Sequence, residues 1–568
     1  MRINFITIPA RSREAASGMG AFGCLPAKKT IYGGSILEIL FKKNFPALLL
    51  VSLTLLLAGC EGDDGDDGAV GPAGPAGAAG PAGADGADGA DGADGADGTS
   101  GSGGAALGVA ADQVFTTAND LRGVTFATVA PHANKIYVSG HVGTTDATRQ
   151  VVVGRLFADG TPDTTFAGDG FLELNVTATT GSGDENSLGI AELQSGDVVI
   201  TATGTDADGG NSVYLLRIAP DGTQVAGWGD ADGKVEVVFG TANADNGTFP
   251  GAPAAVPSDL AWDVRTDLSV TSDRVVIFGI GPAGDGVRTD RDRYIVRMDV
   301  TAIGADVDPT FNGGAAFTFA GTGSVTDNAR RGFVGADGTI VSAGYTDPDP
   351  GGDEHVVLIK LTEAGVLDTT FGGFSVSAES QSIVAATPGI AVFNPFEVDG
   401  GFAESYAVGQ QSDGSYVTVG YGRATDPGAA ASTLGYVVSD RQDVVAFRVV
   451  NAIAAEQELT FGNGGHLAIQ SEGQGFPTTE DRGRHMVVLP DDRILIAGRF
   501  GGNPAAFILT ADGDPDTSVF GDGIIELRDD TISAQFFGLA LSPDGTRVAL
   551  TTNGDDNGAR LVVLKVGS

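Results

Sequence analysis

The chain has 568 residues, 88 of them glycine, and its 73 acidic against 33 basic side chains give a net charge of −40. That sign excludes a protein that tracks phosphate backbones, so no nucleic-acid partner is expected. The two cysteines, Cys24 and Cys60, exclude a disulfide scaffold and a four-thiolate zinc site, and five scattered histidines without an HExxH pattern leave catalytic zinc without a basis.

Residues 1–40 do not fit a signal peptide and are expected to be an upstream extension absent from the mature protein. Residues 41–59 do fit one: Lys42 and Lys43 precede a mostly apolar run from Phe45 to Ala58. That run is shorter than the roughly twenty residues that a membrane-spanning helix needs. Leu57, Ala58, Gly59 and Cys60 resemble the lipobox of bacterial lipoproteins. The resemblance implies that Leu57, Ala58 and Gly59 admit the signal peptidase and that Cys60 accepts diacylglycerol and becomes residue one. The membrane is then a partner through acyl chains on Cys60; one chain holds only marginally, whereas two or three hold stably. The expected location is the bacterial cell envelope, at the outer membrane or cell surface.

Residues 60–104 join the lipidated cysteine to a stalk. From Gly62 to Gly104 a glycine stands at every third place, fifteen in succession. This is the collagen period, required because only glycine fits at the axis of three wound polyproline II strands. The nine aspartates of the segment have no lysine or arginine to pair with, so like charges would oppose winding. A homotrimer through the stalk and a single extended acidic spacer both remain open. At roughly 3.1 Å per residue either form reaches on the order of 130 Å.

Beyond Ala105 the chain changes to short runs rich in valine, isoleucine, threonine and aromatics, divided by Asp-Gly turns, which reads as all-β. A phrase recurs: ADGTPDTTFAGDG at 158–170, GADVDPTFNGG at 304–314, EAGVLDTTFGG at 363–373, AEQELTFGNGG at 455–465 and ADGDPDTSVFGDG at 511–523, with a degenerate copy at 220–233. Its aromatic positions are read as Phe166, Trp228, Phe311, Phe371, Phe461 and Phe520, for a unit of about 60 residues. The units run approximately 105–168, 169–229, 230–313, 314–372, 373–463, 464–521 and 522–568. Each resolves into four strands, a to d, with tight b–c turns, while strands c end at Gly140, Gly204, Gly279, Gly344, Gly420 and Gly498.

Seven such sheets predict a seven-bladed β-propeller of four-stranded antiparallel blades. The segment 106–114 is expected to supply a seventh strand a, so that the amino end seals the ring against the carboxyl end. The DTTFGxxG phrase, followed by a strand, a PDG hairpin and a VVAG-like strand, resembles the delta-60 repeat of bacterial surface and secreted proteins. The resemblance covers roughly 105–568 and implies a propeller, with no catalytic residues to carry over.

In an up-down blade the a–b and c–d connections lie on one face and the b–c and d–a connections on the other. The long insertions 241–259, 381–404 and 424–442 therefore predict one decorated rim, where binding residues concentrate. Phe393, Pro395, Phe396, Phe402 and Tyr406 form an aromatic cluster there that could contact a glycan or protein, or else pack the insertion onto its blade. Asp206, Asp208, Asp347, Asp349, Asp353 and Glu354 are candidate calcium ligands, against the alternative of solvated acidic loops; no other cofactor is expected. No GxSxG elbow, P-loop or dinucleotide fingerprint is present. The expectation is a lipid-anchored envelope protein that displays a propeller for adhesion to a protein or glycan and is not an enzyme. The alternatives are a propeller hydrolase or lyase acting with channel carboxylates, favoured if channel acids have a histidine or arginine beside them, and a structural envelope component without a discrete ligand.

Overall fold

The computed structural model describes residues 107–566 except 116–117, 145–147, 177–184, 206–210, 231–232, 240–258, 284–289, 322–325, 348–353, 376–385, 397–400, 424–441, 454–459, 463–464, 472–479, 528–533 and 555–557. The candidate lipidation site Cys60, with Leu57, Ala58 and Gly59, lies outside them, as does the stalk.

The described residues form strands joined by turns, arranged as seven antiparallel blades of a β-propeller. Among the described residues, neighbouring blades meet in sheet fashion through single bridges such as Asp120 with Asn553, Arg291 with Thr326 and Gly372 with Ile453. In blade one, Asp120–Phe126 lines the centre, followed outward by Ile136–Val142, Gln150–Leu156 and Phe171–Leu174. The strand that opens each sequence unit is thus the outermost strand of the blade before it. Sequence unit and blade are offset by one strand, and every a–b connection is a crossover between blades.

That offset closes the ring. Leu107–Phe115 pairs antiparallel with Ala559–Val566, from Leu107 opposite Val566 to Phe115 opposite Ala559. Arg560 adds an ion pair across the seam, with Nη2 2.8 Å from an Asp112 oxygen. The first strand of the domain therefore completes the last blade, as the expected seal requires.

The recurring phrase is a clasp between blades. In the first copy Asp163 accepts from the Thr165 amide and hydroxyl at 3.1 and 2.7 Å, and its other oxygen accepts from Arg155 Nε at 2.7 Å. Arg155 also donates to the Pro220 carbonyl of the next turn and lies 5.1 Å from the centroid of the buried Phe166 ring. Arg297 repeats this with Asp308 at 2.8 Å, the Glu363 carbonyl at 2.6 Å and the Phe311 ring at 5.1 Å. Lys360 does so with Asp368 and Asn451 at 2.8 and 2.9 Å. The residue after the ring takes positive φ, and in Ala167 and Asn312 its amide reaches the following turn, at Asp221 and Ala364.

This register corrects one position. In the copy at 511–523 it is Phe520 that has φ 54°, matching Ala167, while Val519 is buried where the other copies place the ring. The insertion 381–404 also differs from the expected rim loop: Ile390–Phe393 is the fourth strand of blade four, paired with Val356–Ile359, and Phe374–Ser375 runs parallel on its far side.

Candidate functional site: the central channel

Every innermost strand carries a register irregularity at one level, between Leu121/Gly123, Ser187/Gly189, Ala261/Asp263, Ala329/Gly332, Ser405/Ala407, Gly483/His485 and Phe536/Gly538. Gly140, Gly279, Gly344, Gly420 and Gly498 stand opposite it, whereas in blade two Ala202 takes that place and Gly204 lies beyond it. Gly420 pairs with Ser405, and a Cβ there would lie 1.9 Å from the Glu404 carbonyl oxygen, so glycine is what permits the inner strand to bend this closely. A bulge re-aims the extra side chain, and here the side chains re-aimed are Arg122, Leu188, Trp262, Arg330, Arg331, Tyr406, Arg484 and Phe537.

These side chains stack guanidinium on ring. Arg330 lies 4.0 Å from the Trp262 centroid, 4.7 Å from Tyr406 and 4.8 Å from Tyr345. Arg484 lies 4.6 Å from Tyr406 and 5.2 Å from Tyr421, while Arg122 and Arg331 lie 4.9 and 5.5 Å from Phe537. Trp262 stacks on Phe537 at 6.4 Å, linking the two groups. Beside these cations stand Asp120, 2.7 Å from Arg122; Asp263, 3.7 Å from Arg331; and the buried Glu404. Cation outnumbers anion here, in a chain that is acidic as a whole.

Burial sets the direction of shift of Arg331 and Glu404, whereas Arg330 is held above its ordinary value, against burial, by Tyr406, Tyr345 and Glu404. Burial holds Arg331 down at about 10, opposed by Asp263 and reinforced by the charges of Arg265 and Arg122. It pushes the Glu404 carboxyl above its ordinary value, although Arg330, Tyr421, Arg484 and Tyr345 pull the other way. Glu404 Oε2, Arg330 Nε and Trp262 Nε1 make no hydrogen bond among the described residues.

On the b–c side of the plug the channel opens into a cavity of about 400 Å³, to which all seven inner strands contribute. Its walls are largely apolar, with Ile190, Val264, Phe333, Met486 and Val488 among them. Arg265 and Glu192 bring charge to it. Glu192 is occupied by the Thr128 hydroxyl at 2.6 Å and by the amides of Thr128 and Val129. Arg265 is held by Asp263 at 2.7 Å and by His485 Nε2 at 3.1 Å. Burial, with the charges of Arg331 and Arg265, keeps His485 well below its ordinary pKa. The neutral ring accepts at Nε2 and therefore carries its proton on Nδ1. Leu107 and Val566 lie at this same end of the ring.

The expected site residues fall elsewhere or divide. Phe393 and Phe396 are not rim side chains: they are buried, 5.3 and 6.3 Å from Phe447 of blade five, and so pack blade against blade. Phe402 and Tyr406 belong to the inner strand of blade five, and only Tyr406 enters the plug. Among the candidate calcium ligands, Asp206, Asp208, Asp349 and Asp353 lie outside the described residues, Asp347 ends a strand of blade four, and Glu354 stands just before the next strand. Among the described residues no group of three or more acidic, histidine or cysteine side chains is placed to hold a metal ion. Sequence reading missed Arg265, Arg330, Arg331 and Arg484. The signal that could have found Arg330 and Arg484 is the strand-c glycine, since the residue following its partner is the one turned inward; Arg265 lies outside that rule.

Residues 134–166 and 335–371 match a family described as a domain of unknown function (DUF5122) beta-propeller. The match fits the delta-60 reading of the repeats. No curated protein matches the chain. Among solved structures it is similar to an ulvan lyase of a polysaccharide lyase family, at 11% identity and TM-score 0.35 over 73% of this chain and 80% of that one. Drosophila Plexin A in complex with Semaphorin 1b is similar at 10% identity and TM-score 0.35, over 82% and 88%. A Pseudomonas aeruginosa periplasmic gluconolactonase is similar at 12% identity and TM-score 0.34, over 72% and 84%. The expectation that the chain is not an enzyme is corrected by this set: enzymes stand among the structures it is similar to, so a missing motif does not exclude catalysis. The likeness is one of shape and assigns no activity.

Proposed function

Starting from a propeller built on this repeat, we propose that the chain is a bacterial envelope lipoprotein, anchored through Cys60 and raised on its acidic stalk, whose propeller binds a partner protein or glycan through the central channel. The lipobox and the glycine period support the tether. The observation that carries the binding reading is the open cavity of about 400 Å³ on the b–c side of the plug, lined by all seven inner strands with Arg265 and Glu192 on its wall. Two measurements test it. Labelled palmitate should be incorporated by the native chain and not by Cys60→Ser. A glycan and protein pull-down with the full chain, with and without calcium, should retain a partner that is lost when Gly409→Trp fills the cavity. Retention unchanged by Gly409→Trp would move the site off the channel.

A second reading is favoured by Glu404. A buried carboxyl raised above its usual range, beside Arg330 and two tyrosines, is suited to hold a proton and donate it, as a hydrolase or lyase acting with channel carboxylates requires. Glu404→Gln separates the two readings: turnover of a retained glycan would be lost while retention persists.

A further inference from the structure

The geometry points to a ligand of defined chemistry: a molecule with an apolar body and one carboxylate, seated in the channel cavity with its carboxylate on the outer Nη1 of Arg265. This rests on the reading of the channel as the binding site and goes beyond it by naming what is bound. Three observations converge.

The first is the state of the two charged groups that line the cavity. Both oxygens of Glu192 lie within reach of the amides and hydroxyl of Thr128 and Val129, so that carboxylate is spent on holding its own turn. Arg265 differs. Asp263 takes its Nε and His485 takes its Nη2, which locks the guanidinium plane, and no described residue takes a hydrogen bond from Nη1. The side chain is 36% exposed.

The second is a shared carboxylate. Arg265 and Arg331 both rest on Asp263, at 2.7 and 3.7 Å. His485, bonded to Arg265, is held neutral and offers no anion. Glu192, the other charged group of the lining, is turned to Thr128 and Val129 and forms no ion pair with Arg265, so an incoming carboxylate can take a charge-assisted hydrogen bond from Arg265.

The third is the wall. Phe126, Ile190, Val264, Met486, Val488 and Leu541 surround the cavity, and Leu268 stands at its mouth with 69% of its surface exposed. Such a wall rewards burial of hydrocarbon at roughly 25 cal/mol per Å².

The test is calorimetric titration of the purified full chain with matched acid and amide probes, 4-phenylbutyrate against 4-phenylbutyramide and octanoate against octanamide. The expected result is that at least one acid binds tenfold or more tightly than its amide. Arg265→Met should abolish that preference, and Arg265→Lys should keep part of it. Equal binding of acid and amide would overturn the inference while leaving the channel a binding site. Absence of binding by all four probes, together with a pull-down indifferent to Gly409→Trp, would overturn both. The comparison within the native chain decides the matter even if Arg265→Met fails to fold.

Discussion

Arg155 and Arg297 at the periphery and Arg330 in the channel are all buried, and they are treated in opposite ways. At the periphery Arg155 and Arg297 each meet an aspartate of their own clasp, a hydroxyl, a ring and a carbonyl of the next blade. In the channel Arg330 meets three rings, two tyrosine hydroxyls and its neighbour's carbonyl, and the acid beside it is pushed toward its neutral form. A buried charge with its carboxylate is an internal structural joint. A buried charge faced mainly by rings keeps its field available to something else. The contrast separates the clasp arginines, which hold blades together, from Arg330 of the plug; Arg122, Arg265 and Arg331 stand between the two, each beside a channel aspartate.

The largest effect should come from breaking a clasp. Arg297→Met leaves Asp308 buried beside one remaining cation, Arg274, and should cost about 3 to 5 kcal/mol in denaturant unfolding. A loss below about 1 kcal/mol would dissolve the distinction from the peripheral side.

Acid should probe the periphery next. His466, on the outer strand of blade five against Phe396, is held by burial at about 4. Its folded value lies below the unfolded one, so its contribution is complete above pH 6.5 and is lost as pH falls toward 4. The expected loss is up to about 3 kcal/mol, and His466→Gln should flatten it. The clasp aspartates, with Asp308 held low by its threonine bonds and Arg297 despite burial, keep their contribution through that window. An unchanged slope in His466→Gln would assign the acid sensitivity elsewhere.

The corrected register gives a smaller, paired test. Val519→Ala should cost about 2 kcal/mol from a filled slot, and Phe520→Ala less than about 1, by thermal melts. The reverse order would restore Phe520 to the clasp.

A small effect is also expected at the plug. Arg330→Met removes cation–ring contacts and one short hydrogen bond to Tyr345 but leaves a carboxyl that burial already favours as neutral, so about 1 kcal/mol is expected in the same unfolding assay. A cost equal to that of Arg297→Met would place Arg330 among the structural arginines.

Much of the fold was legible because its signals are local. Asp163, Thr165 and Phe166 form their turn within four residues, and the same spacing returns at Asp308 and Asp368, so blade number and a sealing segment at 106–114, observed as Leu107–Phe115, could be read along the chain. The aromatic cluster shows where that legibility stopped. Phe393, Phe396, Phe402 and Tyr406 are neighbours in sequence, yet two fill the seam between blades and one enters the channel, because a strand at the edge of blade four is followed by a strand at the centre of blade five.

Sequence alone determined an all-β chain of seven repeated sheets and the turns that punctuate them, since hydrophobic alternation and turn chemistry act over a few residues. Tertiary structure alone decided that each opening strand joins the preceding blade and that Arg122, Arg265, Arg330, Arg331 and Arg484 converge. The reason is geometric: most blades lend the channel a single bulged residue, and side chains dozens of residues apart meet only once the ring has closed.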